Sequence, residues 1–324
     1  MHSIADIFHH VAWVREEDGF FEPLRFSAER IADYEINRPY APYSKCTAGV
    51  TLEFETDAET IAFDYELRSF SAGQTTDGYS TSDVFDVYEN GDYALTVNPA
   101  IHKGRFRYHR QSAGRTRFCI YAPVGAAVRF SRFAIGDFAP VPAPEKKLLI
   151  AGDSISQGLF SMHPSLSAAA RLGRELNMDY LNLSIGGDCY RPDLIPASLP
   201  WRPDAIIVEL GTNDFCFIRD FGCIEQNVRG FFRTLQARFS GVPCIVVSPF
   251  WMTDWDELSD GRPAYTARLC ALLSDLARAN GLHFLDGFSL IPHQYRNFSD
   301  TTHPSDDGFA AMAEGLAAAL KPLV

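Results

Sequence analysis

The sequence predicts two folded parts, an all-β sandwich followed by an α/β domain in which a parallel sheet carries helices on both faces. Two observations lead there. Over residues 47–135 apolar and polar residues alternate with a period of two, and turn residues separate the runs. From Lys147 onward the pattern changes to short, continuously apolar runs separated by stretches of helical spacing, as a sheet buried on both faces requires. Between them, Phe138-Ala139-Pro140-Val141-Pro142-Ala143-Pro144-Glu145-Lys146 keeps neither period and reads as a stiff linker. The expected boundaries are an N-terminal arm and sandwich over 1–137, the linker over 138–146 and the α/β domain over 147–324.

The first forty residues show no clean period. Val11-Ala12-Trp13-Val14 is a brief apolar piece and Pro39-Tyr40-Ala41-Pro42-Tyr43 an extended or turning one, so this stretch reads as an arm packed on the sandwich. Gly49-Val50-Thr51-Leu52-Glu53-Phe54-Glu55-Thr56, Thr60-Ile61-Ala62-Phe63-Asp64-Tyr65-Glu66-Leu67 and Asp83-Val84-Phe85-Asp86-Val87-Tyr88 then alternate, giving each strand one wet and one dry face. Asn90-Gly91-Asp92 is a hairpin signal, and runs near 105, 117 and 127 continue the pattern to a jelly roll. The Phe and Tyr stripe is read as core rather than as a binding face.

In the second part the strands are Leu148-Leu149-Ile150-Ala151, Tyr180-Leu181-Asn182-Leu183-Ser184-Ile185, Asp204-Ala205-Ile206-Ile207-Val208-Glu209-Leu210, Pro243-Cys244-Ile245-Val246-Val247-Ser248-Pro249-Phe250 and the short His283-Phe284-Leu285-Asp286. Apolar residues at helical spacing predict helices over 164–176, 227–239, 264–279 and 307–320, the first opened by Pro164.

Composition narrows the function classes. The 324 residues are 46% hydrophobic and 22% charged, which is globular and long enough for two cores. A formal net charge of -12 argues against nucleic acid and anionic membranes as partners. The opening residues lack the basic start and apolar run of a signal peptide and no later run reaches membrane-spanning length, so a soluble, cytoplasmic chain is expected. Seven cysteines without close Cys-x-x-Cys spacing support neither a disulfide framework nor a zinc site. Oligomeric state is left open.

Three apolar runs end in small and polar residues: Gly152-Asp153-Ser154, Gly186-Gly187-Asp188 and Gly211-Thr212-Asn213-Asp214. Near the C-terminus comes Asp300-Thr301-Thr302-His303-Pro304. Taken singly, Ser154 is as good a helix cap or turn hydroxyl as a nucleophile, and Asn213 as good a turn residue as an oxyanion donor. If the strand ends converge on one rim of the sheet, however, a serine, a histidine, a carboxylate, an amide and a glycine N–H meet there, the inventory of an acyl-transfer site. A serine hydroxyl needs a base to become a nucleophile, and an imidazole titrating near neutral pH is suited to that work.

In order and spacing, Gly152-Asp153-Ser154-Ile155, Gly187, Gly211-Thr212-Asn213-Asp214 and Asp300-Thr301-Thr302-His303-Pro304 resemble the four blocks of the SGNH (GDSL-type) esterase family, over about 147–324. The resemblance implies a three-layer, flavodoxin-like α/β fold. It implies Ser154 as nucleophile, His303 as base, Asp300 as its orienting carboxylate, and Ser154, Gly187 and Asn213 as oxyanion donors. Gly186 is an alternative to Gly187 and Asp286 a rival to Asp300, and some family members replace that carboxylate by a backbone carbonyl, leaving a dyad. Asp153 is expected to hold the Ser154 turn and Asp214 to cap the segment after its strand. Ile155 stands where the family motif has leucine, which touches none of the chemistry. An Asp153–Asp188 metal cluster ranks low because the serine set explains the site without a cation, so no metal or cofactor is expected.

The sandwich in front resembles the accessory domain of two-domain carbohydrate esterases, acetyl xylan esterases among them. The expected function is hydrolysis of short acyl esters, acetyl foremost, on a carbohydrate, with a small-molecule or oligosaccharide ester as substrate. The alternatives are a general short-chain aryl or alkyl esterase, a transacylase, and a carbohydrate-binding protein with an inactive hydrolase domain. Trp251, Met252 and Trp255, after the fourth strand, are either a stacking surface for sugars or loop packing.

Overall fold

The structure, a computed structural model, describes residues 2–37, 41–69, 83–100 and 102–324. The chain divides into two compact units, Met1–Glu145 with Met162–Leu166, and Lys146–Ser161 with Ser167–Val324.

The first unit contains β1 (Phe8–His9), β2 (Trp13–Glu17), β3 (Phe20–Leu24), α1 (Ala28–Asn37), β4 (Thr51–Thr56), β5 (Thr60–Ser69), β6 (Phe85–Glu89), β7 (Asp92–Val97), β8 (Lys103–His109), β9 (Thr116–Tyr121), β10 (Ala126–Ala134) and β11 (Phe138–Pro140). They form two antiparallel sheets. One has the order β1-β4-β9-β6-β7 with β11 on β4, the other β2-β3-β10-β5-β8. The inward residues of both, Leu52, Phe54, Phe85 and Phe118 from one and Ile61, Phe63, Phe106 and Phe130 from the other, make a single core. At the β6–β7 turn Asn90 and Gly91 both take left-handed φ values, 52° and 95°, the geometry that matches a hairpin's twist.

Two stretches without a readable period are strands of this sandwich. Phe8 and His9 pair with Leu52 and Thr51, and the β2–β3 hairpin joins the second sheet where Phe20 and Phe21 face Ser131 and Phe130. A two-residue strand is too short to show alternation, and β2 ends in the exposed Arg15, Glu16 and Glu17, as an edge strand does. The presumed linker begins as β11, with Phe138, Ala139 and Pro140 opposite Thr56, Glu55 and Phe54. Proline is tolerated there because β11 lies at a sheet edge. Pro39 and Tyr40 lie outside the described residues, and Ala41–Lys45 is a 3-10 helix. Residues 162–166 fold with this unit around Asp86, whose Oδ2 accepts the Ser165 N–H and hydroxyl at 3.1 and 2.7 Å.

The second unit contains β12 (Lys147–Gly152), α2 (Ser154–Gln157), α3 (Ala168–Leu176), β13 (Asp179–Asn182), β14 (Ala205–Glu209), α4 (Thr212–Phe217), α5 (Phe221–Phe239), β15 (Cys244–Val247), α6 (Arg262–Ala279), β16 (His283–Leu285) and α7 (Asp306–Leu320). Its sheet is wholly parallel with the order β13-β12-β14-β15-β16. Leu148, Ile150, Ile207 and Ile245 point into one core with Ala169 and Leu172 of α3 and Phe309 and Met312 of α7. The alternate residues Leu149, Ala151, Ile206 and Val208 are equally buried, so both faces of the sheet are covered. The order reverses direction at β12, and in such sheets ligands bind beyond the C-terminal strand ends at that point. Among the described residues no helix is long and apolar enough to cross a membrane.

Phe63 stacks on Phe106 at 4.5 Å with rings 1° from parallel and meets Phe85 and Phe130 edge-on. Phe63→Ala is expected to lower the sandwich's stability by about 3–5 kcal/mol, read from urea unfolding followed by circular dichroism.

Candidate active site

β12 ends at Gly152 because the chain there passes through a space too tight for a side chain. A Cβ on Gly152 would lie 2.6 Å from Ser156 Cβ and 2.8 Å from the Glu209 carbonyl oxygen. Asp153 then caps α2 by accepting the Ile155 N–H on Oδ1 at 2.9 Å. Ser154 is therefore the first residue of that helix, half-buried between two buried neighbours, and Gly158 at φ 89° ends it.

His303 comes from the other end of the unit on a small closed loop. Phe298 bridges Pro304, and the Ser299 N–H donates to the His303 carbonyl at 2.8 Å. Asp300 Oδ1 accepts the N–H groups of Thr302 and His303, both at 2.7 Å, so this carboxylate builds the loop that carries the imidazole. Its Oδ2 lies 2.8 Å from His303 Nδ1, and His303 Nε2 lies 2.9 Å from Ser154 Oγ. With Nδ1–H donating to the carboxylate, Nε2 is left to accept the serine hydroxyl's proton. Partial burial pushes the Asp300 carboxyl up, but the hydrogen bonds from His303 and Thr302 outweigh it and bring it down to about 2. Asp300 is thus ionised at neutral pH. Asp286, its rival, is engaged elsewhere: Oδ1 accepts the Phe288 N–H and the Ser248 hydroxyl, each at 3.2 Å, closing the turn after β16.

The glycine pair after β13 divides its roles. Gly186 donates its N–H to Gln157 Oε1 at 2.8 Å. Gly187, at φ 82°, is half-buried, and among the described residues neither its N–H nor that of Ser154 meets a protein acceptor. The Asn213 amide, in the first turn of α4, donates to Asp153 Oδ2 at 3.1 Å and to the Asp188 carbonyl at 3.3 Å. Half-buried Ser154, Gly187, Asn213 and His303 stand in a frame of buried residues.

Beneath them lies a group of buried acids. Asp214 is fully buried and does not cap α4, whose N-cap Gly211 offers no side chain; it turns inward, where Oδ1 accepts the Tyr190 N–H at 3.1 Å. Burial pushes its carboxyl up to about 7 despite that bond. Asp188 forms a buried ion pair with Arg191. Asp153 and Glu209 are raised as well, chiefly by burial. Burial, then the charges of Asp214 and Asp188, push the Cys189 thiol up too, which keeps it from acting as a thiolate. Trp251 stacks on His293 at 4.7 Å and meets Phe298 edge-on, while Trp255 packs on Phe288, so these rings bind one another; Met252 is buried.

Two residues were not singled out from the sequence. Phe160, at φ 71°, an uncommon backbone for a bulky side chain, stacks its ring on the His303 imidazole at 4.3 Å and 22°. Nothing in its neighbourhood in sequence signals this. Glu209 did leave a trace, as a lone acid ending the apolar run of β14.

Asp214 also sets a pH dependence of stability. Its folded pKa lies above the unfolded value, so the contribution is whole below about pH 4 and is lost as pH rises toward 7, by up to about 4 kcal/mol. Asp214→Asn carries no proton to lose. Its urea midpoint, relative to the parent protein, is expected to rise between pH 5 and pH 8, and equal midpoint shifts at both would contradict the assignment.

Residues 150–311, half of the chain, match the GDSL-like lipase/acylhydrolase family. Among curated proteins none matches the sequence. In fold the chain is similar to a salicylyl-acyltransferase, SsfX3, from a tetracycline biosynthetic pathway, with a TM-score of 0.81 at 21% identity over 98% of this chain and 94% of that one. It is also similar to a carbohydrate esterase family 2 enzyme with a carbohydrate binding domain from Corynascus thermopiles (Myceliophthora fergusii), with a TM-score of 0.67 at 18% identity over 85% and 94%. An acetyl xylan esterase from the rumen bacterium Butyrivibrio proteoclasticus gives 0.62 at 17% over 95% and 96%. With half its length matched to the family, and a serine, an imidazole and a carboxylate hydrogen-bonded in series at the sheet's rim, the chain belongs to the GDSL-like lipase/acylhydrolases and is a carboxylic ester hydrolase.

Proposed function

We propose that this hydrolase removes short acyl groups, acetyl foremost, from carbohydrate esters through an acyl-Ser154 intermediate. The observation that supports it is the series Ser154 Oγ, His303 Nε2, His303 Nδ1, Asp300 Oδ2, with contacts of 2.9 and 2.8 Å. His303 takes the serine proton as Oγ attacks the ester carbonyl, and Asp300 stabilises the imidazolium that forms. Negative charge then gathers on the carbonyl oxygen. The N–H groups of Ser154 and Gly187 receive it, and Asn213 turns one amide hydrogen away from the longer of its two bonds, that to Asp188. His303 returns the proton to the leaving alcohol. A water molecule, activated by the same imidazole, frees Ser154.

A small acyl group fits the wall beside the nucleophile. A Cβ on Gly186 would lie 3.7 Å from Ser154 Cβ and 3.1 Å from Leu159 Cδ1, so the chain already closes on the serine there. The carbohydrate half of the reading rests on the likeness, over most of the chain, to enzymes described as carbohydrate and acetyl xylan esterases. The likeness to a salicylyl-acyltransferase favours a second reading, in which an alcohol rather than water resolves the acyl-enzyme.

Acetate release from acetylated xylo-oligosaccharides and from a short aryl acetate, by the parent protein and Ser154→Ala, tests both halves. The variant is expected to lose about 10⁴-fold or more in kcat while staying folded. Parent activity on the aryl ester alone would remove the carbohydrate, and activity on neither would favour a binding protein with an inactive hydrolase domain. Acyl transfer to an added alcohol in preference to water would favour the second reading.

Phe160 adds a further expectation. Its ring face fixes the imidazole plane and attracts the imidazolium, which is worth roughly 0.5–1.5 kcal/mol. Phe160→Leu is expected to lower kcat about three- to tenfold with little change in KM, and Phe160→Tyr to restore it. Steady-state kinetics in which Leu and Tyr behave alike would remove the ring from the mechanism.

A further inference from the structure

Under the reacting atoms lies a pair of carboxyl groups that the mechanism does not use. Asp153 follows Gly152, the register partner of Glu209 across β12 and β14, and the two carboxyl groups, 1% and 0% exposed, adjoin at the first turn of α2, one bound to Ile155 and the other to Ser156. Their oxygens can be followed one by one. Asp153 Oδ1 accepts the Ile155 N–H and Oδ2 the Asn213 amide; Glu209 Oε2 accepts the Ser156 hydroxyl at 2.9 Å. Glu209 Oε1 is buried and no donor from the described residues reaches it. Two carboxylates offer only acceptors, so a hydrogen bond between them needs a proton held by one.

The surroundings favour keeping that proton. Asp214, Cys189 and Tyr190 interact with the pair and can add only negative charge, and Arg191 is committed to Asp188 and Asp193. His303, the remaining titratable neighbour, already has Asp300 as its counter-charge. Burial raises both acids, and for Glu209 it outweighs the hydrogen bonds from Ser156 and the Asp153 backbone that favour the charged form.

We propose that Glu209 is a positioning residue: it shares one proton with Asp153, and the pair, carrying no more than one negative charge, holds the Asn213 amide where the substrate oxyanion forms. This rests on the reading of Asn213 as an oxyanion donor. When hydroxide removes the shared proton, two carboxylates stand in contact. The doubled charge lies beneath the forming oxyanion, and a fully charged Asp153 draws the Asn213 amide back toward itself.

The parent protein is therefore expected to lose kcat reversibly at alkaline pH, tenfold or more, while its circular dichroism stays native. In Glu209→Gln the amide donates permanently to Asp153, no shared proton remains, and the alkaline fall should vanish; in Asp214→Asn it should persist. A flat parent profile, a Glu209→Gln profile that superposes on the parent's, or loss of the fall in Asp214→Asn instead would each overturn the proposal. Infrared spectroscopy of Asp214→Asn gives a measurement that needs neither turnover nor a folded Glu209 variant. A protonated-carboxyl carbonyl band at neutral pH that disappears on alkaline titration is expected, and its absence overturns the proposal. Failure of the serine mechanism would appear separately, as activity surviving in Ser154→Ala.

Discussion

The space at Gly152 governs much of the second unit. With Ser156 Cβ and the Glu209 carbonyl inside the reach of any side chain, β12 can run flush against β14 and then turn at once into α2. That turn makes Asp153 a cap and Ser154 a first helical residue, with its N–H unspent within the protein. Gly186 plays the matching part on the neighbouring strand end, where its backbone lies against Ser154 and Leu159. Hydroxyl, amide donors and imidazole meet because two strand ends lack side chains.

The site also places a sharp electrical contrast within a few residues. The carboxylate that orients the imidazole is half-exposed and richly hydrogen-bonded, and ionises readily. Those under the proposed oxyanion donors are buried, and burial shifts them toward the neutral form. An imidazolium gains from a charge beside it, whereas an oxyanion is harmed by one below it. Opposite solvation of otherwise similar side chains meets both needs.

Much of this was legible from residue order alone. The period of two gave away the sandwich, and the short apolar runs of β12, β14 and β15 the parallel sheet, since a strand buried on both faces has no polar side to show. The residues Ser154, Asn213, Asp300 and His303 stood out through their resemblance to the four blocks of the esterase family, and the structure brings them together. What was hidden lacked a period or a local partner. β1 is two residues long, β11 contains a proline, and both are strands only because β4 offers an edge to pair with. Asp214 looked like a cap because it follows a glycine turn, but its destination is the Tyr190 N–H, far off in sequence. Phe160 is placed by a left-handed backbone that no residue type announces.

The proposed nucleophile and base are 149 residues apart, one opening the first strand-to-helix turn of the unit, the other on the loop before its last helix. That loop is clamped to α7: a Cβ on Gly308 would strike the Asn297 carbonyl at 2.1 Å, and Ser161 reaches across to Asp306 at 2.7 Å. A ribosome would therefore release Ser154, its turn and all five strands before the His303 imidazole could reach them. With Ser154 and His303 as the proposed pair, hydrolysis waits on the docking of α7, and its onset reports that the two ends of the unit have come together.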